Sequence, residues 1–383
     1  MKFAILGGSF NPPHNGHVKL AESALSLGYD RIIFVPAYQS PLKPAGQPES
    51  ALARAEMVFA SISGDRRFTV DFCEIEREGV SYTIDTIGSV TSRYVPEGKT
   101  GVILGDDVAV DFGKWKDCDK IARDSSILIA NRNFGAVDFS FPHVRMHNEV
   151  FSLSSERVRQ TIKEGGAWRS LVPKGVQEFI EAHRLYSGDG YAAAAAASEN
   201  APRYCPPPAF PCPAAAVENW ARRVLSLYRF AHSRNVALHC ADLAARFKID
   251  ADEAYLAGLV HDICKEMSLA EMLSLAQKDG RPLSLEEEAS PALLHGRAAA
   301  VFIEEQLGIH HKGIIEAVRV HTIGGKNIGE LAKIVYCADK IEAGRRDVDP
   351  ELRAMAFGAD SCKDSDELYA AVQKLLHVRA SRR

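Results

Sequence analysis

The first 187 residues alternate short apolar runs with amphipathic helical patterns, and this alternation restricts the fold more than any other feature of the chain. The runs suit buried strands, whereas the segments between them repeat apolar residues at helical spacing. Six strands are predicted, at 2–7, 31–36, 68–72, 101–105, 127–131 and 143–147. Helices are predicted near 17–27, 50–62, 83–93, 116–123, 155–164 and 174–183. The pattern predicts an α/β Rossmann-like domain, a parallel sheet with helices on both faces and ligands at the carboxyl ends of the strands.

The composition changes abruptly at residues 188–216. Six consecutive Ala (192–197) lead into two Pro-rich runs that contain Cys205 and Cys212. Such a stretch cannot bury a core, so it predicts a linker. From 217 to 383 the apolar residues keep helical spacing, which predicts an all-α second domain. We therefore expect two domains, 1–187 and 217–383, joined by an Ala/Pro-rich linker over 188–216.

The overall composition excludes several classes of protein. A formal net charge of −4 argues against a protein that coats nucleic acid. No apolar run approaches the roughly 20 residues of a membrane span, and the amino terminus lacks a cleavable signal pattern. The eight Cys residues are scattered singly, as reduced thiols would be. We expect a cytoplasmic protein with no membrane or nucleic-acid partner, and the composition leaves oligomerisation open.

Residues 7–17 carry the first candidate site, since they read GGSFNPPHNGH directly after the first predicted strand. Gly7 and Gly8 allow a tight turn there, and the two prolines stiffen the loop. His14 and His17 flank the start of the next helical pattern. Two imidazoles and unpaired backbone N–H groups at the positive end of a helix predict a phosphate-binding site.

This segment resembles the H-x-G-H signature of the nucleotidyltransferase superfamily, and its full form looks like that of the bacterial nicotinate-nucleotide adenylyltransferases. In that family the two His contact the ATP phosphates and stabilise charge as the α-phosphate is attacked. Three further clusters follow in the family's order: 81–86 (SYTIDT), 104–107 (LGDD) with Trp115 after it, and 154–159 (SSERVR). The resemblance covers essentially all of 1–187.

The resemblance implies a role for each cluster. The nucleotide-binding residues that it implies are Gly7, Gly8, Ser9, Phe10, Gly105, Ser154 and Ser155. The residues that it implies for nicotinate mononucleotide are Tyr82, Thr83, Thr86, Asp107 and Trp115. The implied catalytic residues are His14, His17, Lys43 and Arg159, acting on ATP with Mg²⁺. Two positions depart from the family: Glu156, where Thr is usual, and Asp106, an acid at a position that is usually uncharged.

Six residues of the second domain have the side chains of a metal site. They are His232, His261, Asp262, His295, His321 and Asp339. Neutral imidazoles and carboxylates suit Fe, Mn or Zn, and a bridging carboxylate such as Asp262 can hold two metals about 3.5–4 Å apart. Lys265 lies one helical turn past Asp262, where it can neutralise charge that develops on a phosphate.

The order of these residues resembles that of the HD-domain metal-dependent phosphohydrolases. The segments around them, 229–233, 258–266, 293–296, 321–324 and 338–345, are similar to those of the bacterial HD-domain symmetrical diadenosine tetraphosphate hydrolases. That resemblance covers 217–383 and implies cleavage of diadenosine tetraphosphate (Ap4A) to two ADP at a dinuclear site, with Asp262 and Lys265 as catalytic residues. The expected ligands of the chain are ATP, nicotinate mononucleotide and a dinucleoside polyphosphate.

Two alternatives stay open at this point. The HD half could be a non-catalytic nucleotide sensor that regulates the transferase, although its intact set of metal ligands argues against this. The transferase could instead use nicotinamide mononucleotide or a pantetheine phosphate as the acceptor. The segment 81–86, Asp107 and Trp115 favour nicotinate.

Overall fold

The computed structural model describes residues 1–41, 49–131, 138–149, 153–187, 213–344, 350–358 and 361–380. The chain divides into two compact units, Met1–Ala201 and Pro202–Arg383. Most of the predicted linker, up to residue 212, lies outside the described residues, and so does the predicted phosphate ligand Lys43.

The first unit is built on a six-stranded parallel sheet. Its strands are β1 (Phe3–Gly8), β2 (Arg31–Pro36), β3 (Phe68–Val70), β4 (Gly101–Gly105), β5 (Ser126–Ala130) and β6 (His143–Arg145). They lie in the order β3-β2-β1-β4-β5-β6, and every neighbouring pair is parallel. The central strands are apolar along their whole length because both faces are covered, as the 0 % exposure of Ile32, Ile33 and Phe34 illustrates. The predicted α/β architecture is confirmed.

Helices lie between the first five strands and after β6. In the described part of the first unit they are α1 (Asn15–Leu25), α2 (Ala51–Ile62), α3 (Cys73–Arg77), α4 (Thr83–Tyr94), α5 (Asp106–Ala109), α6 (Cys118–Asp124), α7 (Ser155–Lys163) and α8 (Lys174–His183), with 3₁₀ turns at Phe112–Lys114 and Arg169–Leu171.

Two of these helices correct the sequence-based expectation. Helix α3 occupies a segment before Ser81 in which no helix was predicted, and α5, which was not predicted either, follows β4 without any loop. Both are too short for apolar periodicity to reveal them. Helix α1 also begins earlier than predicted, so His14 precedes it and His17 lies in its first turn.

The order of the strands reverses between β1 and β4. These two strands are neighbours, but β1 leads on to β2 at one side and β4 leads on to β5 at the other. Loops that diverge in this way leave a crevice at the carboxyl ends of the strands. The loop after β1 and helix α5 after β4 both lie at this edge, which carries the first candidate site.

Helices are the regular secondary structure of the second unit, and its described residues contain no strand. Its helices are α9 (Ala214–Val224), α10 (Leu227–Phe247), α11 (Ala251–Val260), α12 (Leu269–Gln277), α13 (Leu285–Ala289), α14 (His295–Gln306), α15 (Lys312–Val320), α16 (Glu330–Ile341), α17 (Pro350–Phe357) and α18 (Ser365–Ala380), with a 3₁₀ turn at Pro291–Leu294. The predicted all-α architecture is confirmed.

Helix α10 packs closely against α11 and also against α16. Gly258 makes the close approach of α10 and α11 possible, because a Cβ atom there would lie 2.7 Å from Cα of Ala237. None of the helices in the described ranges combines the length and the apolar character needed to cross a bilayer.

Candidate functional sites

The loop between β1 and α1 is held by the buried aromatic ring of Phe10. Phe10 is 1 % exposed and has a φ of 47°. Its ring centroid lies 5.8 Å from that of Phe34 and 4.9 Å from that of His17. A Cβ atom at Gly8 would come within 3.2 Å of the Phe10 ring. Glycine at position 8 therefore lets this ring fold back under the loop.

His14 and His17 form a stacked pair at the beginning of α1. Their ring centroids are 3.7 Å apart, with an interplanar angle of 29°. The backbone N–H of His14 donates to Nδ1 of His17 at 3.1 Å. Because Nδ1 of His17 accepts this bond, a neutral His17 carries its proton on Nε2. The pair thus combines two imidazoles with the positive end of an α-helix, which suits binding of phosphate oxygens.

Helix α7 closes the other side of the same loop. Nη1 of Arg159 donates to the carbonyl oxygen of Asn11 at 2.5 Å, and Oγ of Ser155 donates to that of Pro12 at 2.8 Å. Ser154 is the N-cap of α7, since its Oγ accepts a hydrogen bond from the N–H of Arg157. The fold therefore brings together residues 7–17 and residues 154–159, the first and the last of the predicted clusters.

Arg54 is a residue of this site that the sequence analysis did not identify. Its side chain is 1 % exposed and donates to three backbone carbonyl oxygens, those of Ser9 at 2.7 Å, Tyr38 at 3.1 Å and Glu49 at 3.3 Å. These bonds tie the loop after β1 to the chain that follows β2. Burial lowers the pKa of the Arg54 guanidinium. The available sequence signal was a basic residue in the mainly apolar segment of α2.

The second predicted cluster lies at the start of α4. Tyr82 is 37 % exposed, and Nζ of Lys116 lies 4.8 Å from the centre of its ring. Thr83, the first residue of α4, is half-buried. Thr86, in contrast, is 2 % exposed and donates its hydroxyl to Oε1 of Glu74 at 2.5 Å. The hydroxyl of Thr86 is thus engaged with a carboxyl group whose pKa burial raises.

The third cluster follows β4. Gly105 ends this strand and is the N-cap residue of α5, in which Asp106 is buried and Asp107 is exposed. The ring centroid of Trp115 lies 5.4 Å from that of Phe112. Nε1 of Trp115 is buried and has no hydrogen-bond partner among the described residues.

The predicted metal ligands of the second unit converge around Asp262. Its Oδ1 lies 3.0 Å from Nε2 of His295 and 3.4 Å from Nε2 of His321. Its Oδ2 lies 3.7 Å from Nε2 of His232 and 3.6 Å from Nε2 of His261. Each carboxylate oxygen therefore faces a different pair of imidazoles, as a carboxylate that bridges two metals would.

Asp339 completes the cluster on one side. Its Oδ1 lies 3.1 Å from Nε2 of His232 and 3.8 Å from Nε2 of His261. We call this group site A (His232, His261 and Asp339) and the group on the other side site B (Asp262, His295 and His321).

The chemistry of these donors fits a divalent metal. His261 is 0 % exposed, and its Nε2 has no hydrogen-bond partner among the residues that the structure describes. Leaving a buried polar atom unsatisfied costs about 1–3 kcal/mol, a cost that coordination of a metal ion would remove. The ligand atoms of site A lie within 4.8 Å of one another, as do those of His261, Asp262 and His321. Imidazole nitrogens and carboxylate oxygens together suit Fe, Mn or Zn.

Three of the four imidazoles are oriented by a backbone carbonyl three residues earlier. Nδ1 of His261 lies 2.7 Å from the carbonyl oxygen of Gly258, Nδ1 of His295 lies 2.6 Å from that of Ala292, and Nδ1 of His321 lies 2.7 Å from that of Val318. A carbonyl oxygen can only accept, so a neutral ring carries its proton on Nδ1, and the lone pair of Nε2 then faces the cluster, where it suits a metal ion.

His232 is oriented differently, by a carboxylate. Its Nδ1 lies 3.3 Å from Oε2 of Glu342, a residue that is 1 % exposed and that the sequence analysis did not assign to the site. Burial opposes the charged form of His232, but hydrogen bonds to Asp339 and Glu342 outweigh it and raise the pKa of His232 to about 9 without metal. Burial lowers the pKa of His261 to about 3.

Three cationic side chains border the cluster. Nη1 of Arg229 lies 2.5 Å from Oδ2 of Asp262, and Nζ of Lys340 lies 2.7 Å from Oδ2 of Asp339. Nζ of Lys265 lies 3.0 Å from Nδ1 of His295, and burial lowers the pKa of Lys265. Such cations can bind the oxygens of a phosphate group that approaches the metal ligands. Of the three, only Lys265 was assigned a role from the sequence.

Two family models match the chain. The cytidylyltransferase-like model matches residues 5–161, and the HD domain model matches residues 229–344. The first match contains the stacked His pair and helix α4, and the second contains every residue of sites A and B.

Individual relatives match one half of the chain each. The probable nicotinate-nucleotide adenylyltransferase of Borreliella afzelii is 35% identical over 188 residues, 49% of this chain and 97% of that protein. The protein of the same name from Treponema pallidum is 35% identical over 202 residues, 49% of this chain and 99% of that protein. Among solved structures, a predicted HD superfamily hydrolase involved in NAD metabolism from Clostridium acetobutylicum is 30% identical, covers 43% of this chain and 83% of that chain, and has a TM-score of 0.38.

Proposed function

Because the chain belongs, through its amino-terminal half, to the nicotinate-nucleotide adenylyltransferase family and carries an HD domain in its carboxy-terminal half, we propose that it is a bifunctional enzyme. Its transferase domain, 1–187, would transfer AMP from ATP to nicotinate mononucleotide, which yields deamido-NAD and pyrophosphate. Its HD domain, 217–383, would hydrolyse Ap4A to two ADP, and 188–216 would link the two. The cytoplasmic location stays a prediction.

The stacked pair of His14 and His17 is the observation that carries the transferase proposal. The phosphate of nicotinate mononucleotide would attack the α-phosphorus of ATP in line, and the bond to the bridging oxygen of pyrophosphate would break. The two imidazoles and the first N–H groups of α1 would stabilise the charge that develops on the phosphates. Mg²⁺ bound to ATP would add to this stabilisation.

Helix α7 would support the same step. Arg159 and Ser155 hold the carbonyl groups of the loop after β1, so the loop is positioned before ATP binds. Ser154 would act by capping the amino-terminal turn of α7. Glu156 is exposed on that turn, and Lys43 would add a phosphate contact from outside the described residues.

The acceptor would bind at the carboxyl edge of the sheet, between the start of α4 and the end of β4. We propose Tyr82, Thr83, Asp107 and Trp115 as its contacts, and the backbone of Gly105 as a contact of ATP. An indole suits stacking on a pyridinium ring, because aromatic faces attract cations. Thr86 would act indirectly, because its hydroxyl already binds Glu74.

The observation that carries the hydrolase proposal is the placement of Asp262, whose two carboxylate oxygens face different pairs of imidazoles. Sites A and B supply imidazole and carboxylate ligands for two ions of Fe, Mn or Zn, which would act as Lewis acids on the phosphoryl group and make water a better nucleophile. Lys265, with Arg229 beside it, would bind phosphate oxygens next to the ligands. Water would add across a phosphoanhydride bond, and each half of Ap4A would leave as ADP.

The test is incubation of the full-length, metal-reconstituted protein with Ap4A, with products separated by chromatography and His261→Ala as the control. ADP as the sole product, lost in the variant, supports the proposal. Intact Ap4A from a protein that contains metal would contradict it and would favour another phosphate ester or the nucleotide-sensing alternative. Deamido-NAD formation from ATP and nicotinate mononucleotide, with nicotinamide mononucleotide as the competing acceptor, tests the transferase in the same preparation.

A further inference from the structure

We propose that Glu342 is a positioning residue that orients His232 and makes site A bind its metal more tightly than site B. This inference rests on the proposed metal-dependent function of the HD domain. It concerns the one imidazole of the cluster whose Nδ1 lies beside a side-chain carboxylate rather than a backbone carbonyl.

The position of His232 within its helix explains why it needs such a partner. His261 and His321 follow the last turns of α11 and α15, where backbone carbonyl groups have no partner within the helix, and His295 follows a 3₁₀ turn. His232 lies inside the long helix α10, where the carbonyl groups of the preceding turn accept helical hydrogen bonds. An acceptor for its Nδ1–H must therefore come from another part of the chain.

Hydrogen bonds hold the side chain of Glu342 so that one of its two carboxylate oxygens faces His232. Its Oε1 accepts hydrogen bonds from Nδ2 of Asn235 at 2.9 Å and from the N–H of Gly344 at 2.6 Å, which leaves Oε2 for His232. A Cβ atom at Gly344 would lie 2.7 Å from Oε1, so glycine at this position allows the close contact.

Hydrogen bonds also fix the backbone at Glu342. Arg353, 4 % exposed, donates to the carbonyl oxygen of Glu342 at 2.8 Å and to those of Ile341 and Ala343 at 3.2 Å. These carbonyl groups belong to the last residue of α16 and the two residues after it, where carbonyl groups have no donor within the helix. Both the backbone and the side chain of Glu342 are thus fixed. This suits a residue that orients the metal ligand His232 without binding the metal itself.

A carboxylate that accepts the Nδ1–H of a ligating imidazole raises the basicity of its Nε2, and loss of such a partner lowers metal affinity about 10- to 100-fold. Site A contains the imidazole that receives this support. The imidazoles of site B receive the weaker support of neutral carbonyl groups. The two metal positions are therefore unequal, with site A filled first.

The test is a titration of the metal-free full-length protein with Co²⁺, followed by the visible absorption of the bound ion and by equilibrium dialysis. We expect two binding steps in the wild type. Glu342→Gln, which keeps the shape and removes the charge, should weaken the tighter step about 10- to 100-fold and shift its absorption band, with the weaker step unchanged.

Glu218→Gln is the matched control. Glu218 is 2 % exposed, lies in the same unit and is bonded to Arg234 and Tyr255, neither of which belongs to site A or site B, so its loss should leave both binding steps intact. Asn235→Ala removes one of the bonds that hold Glu342 and should give a smaller loss in the tighter step; it also serves if Glu342→Gln does not fold.

The possible failures are distinguishable. Wild-type protein that binds no Co²⁺ would contradict the proposed function itself. Wild-type protein that shows two steps, together with Glu342 and Asn235 variants that keep the same two affinities and spectra, would overturn the inference and leave the proposed function standing. An equal loss in Glu218→Gln would also overturn it, since the effect would then be a general consequence of removing a buried carboxylate.

Discussion

Nη1 of Arg229 lies 2.5 Å from Oδ2 of Asp262. The carboxylate that faces both metal sites is therefore also bonded to a partly exposed cation at the border of the cluster. The guanidinium offsets the negative charge of Asp262, and its partly exposed side chain would bind a phosphate group of the proposed substrate.

Arg229→Gln should lower kcat/KM for Ap4A about 10- to 100-fold, because a hydrogen bond between charged groups contributes about 1.5–3 kcal/mol. The measurement is the rate of ADP release over a range of Ap4A concentrations. Formation of deamido-NAD by the same preparation serves as the internal control and should not change. Unaltered Ap4A kinetics would remove Arg229 from the proposed substrate contacts.

Removal of the metal should abolish Ap4A hydrolysis and lower the melting temperature of the HD domain. Without an ion, the buried Nε2 of His261 stays unsatisfied, whereas a ligand present at 100 times its Kd stabilises the folded state by about 2.7 kcal/mol. The measurement is calorimetry before and after dialysis against a chelator, followed by readdition of Mn²⁺, Zn²⁺ or Fe²⁺. A melting profile that is indifferent to all three ions would contradict the assignment of sites A and B.

His17→Ala should reduce kcat for deamido-NAD formation about 10²- to 10³-fold, the loss that is typical when one donor to a developing negative charge is removed. His17 is half-buried and stacks on His14, so the fold should tolerate the change better than a substitution of His14, which is 3 % exposed. Hydrolysis of Ap4A by the variant should equal that of the wild type. A rate within a factor of a few of the wild type would refute the proposed role.

Thr86→Val should destabilise the transferase domain by about 1–3 kcal/mol, because Oε1 of the buried Glu74 loses the hydroxyl that donates to it. Since this hydroxyl faces Glu74, KM for nicotinate mononucleotide should change less than in Tyr82→Ala, which removes an exposed aromatic ring at the start of α4. Denaturant unfolding and steady-state kinetics separate the two effects. A large rise in KM with unchanged stability would restore Thr86 as a direct substrate contact.

The strands and the longer helices of this molecule could be predicted from sequence patterns. The six strands and most of the longer helices of the first unit lie within a few residues of their predicted positions, because apolar periodicity reports which faces of a segment are buried. Helices α3 and α5 escaped prediction because one turn is too short to show a period. The identity of the six clustered His and Asp residues was also readable, since their chemistry and order are local properties of the chain.

The hydrogen-bond partners that support those side chains depend on how distant parts of the chain pack together. Glu342 meets His232 across 110 positions of the chain, and Arg54 reaches the carbonyl group of Ser9 across 45. The hydroxyl of Thr86 donates to Glu74, which lies 12 positions earlier in the chain. Periodicity carries no information about which distant donor and acceptor will be buried together; that depends on how whole helices pack. Local residue patterns were sufficient to predict the two architectures and the residue types of both candidate sites, whereas the packing of whole elements selected which carboxylates, carbonyl groups and guanidinium groups hold those residues in place.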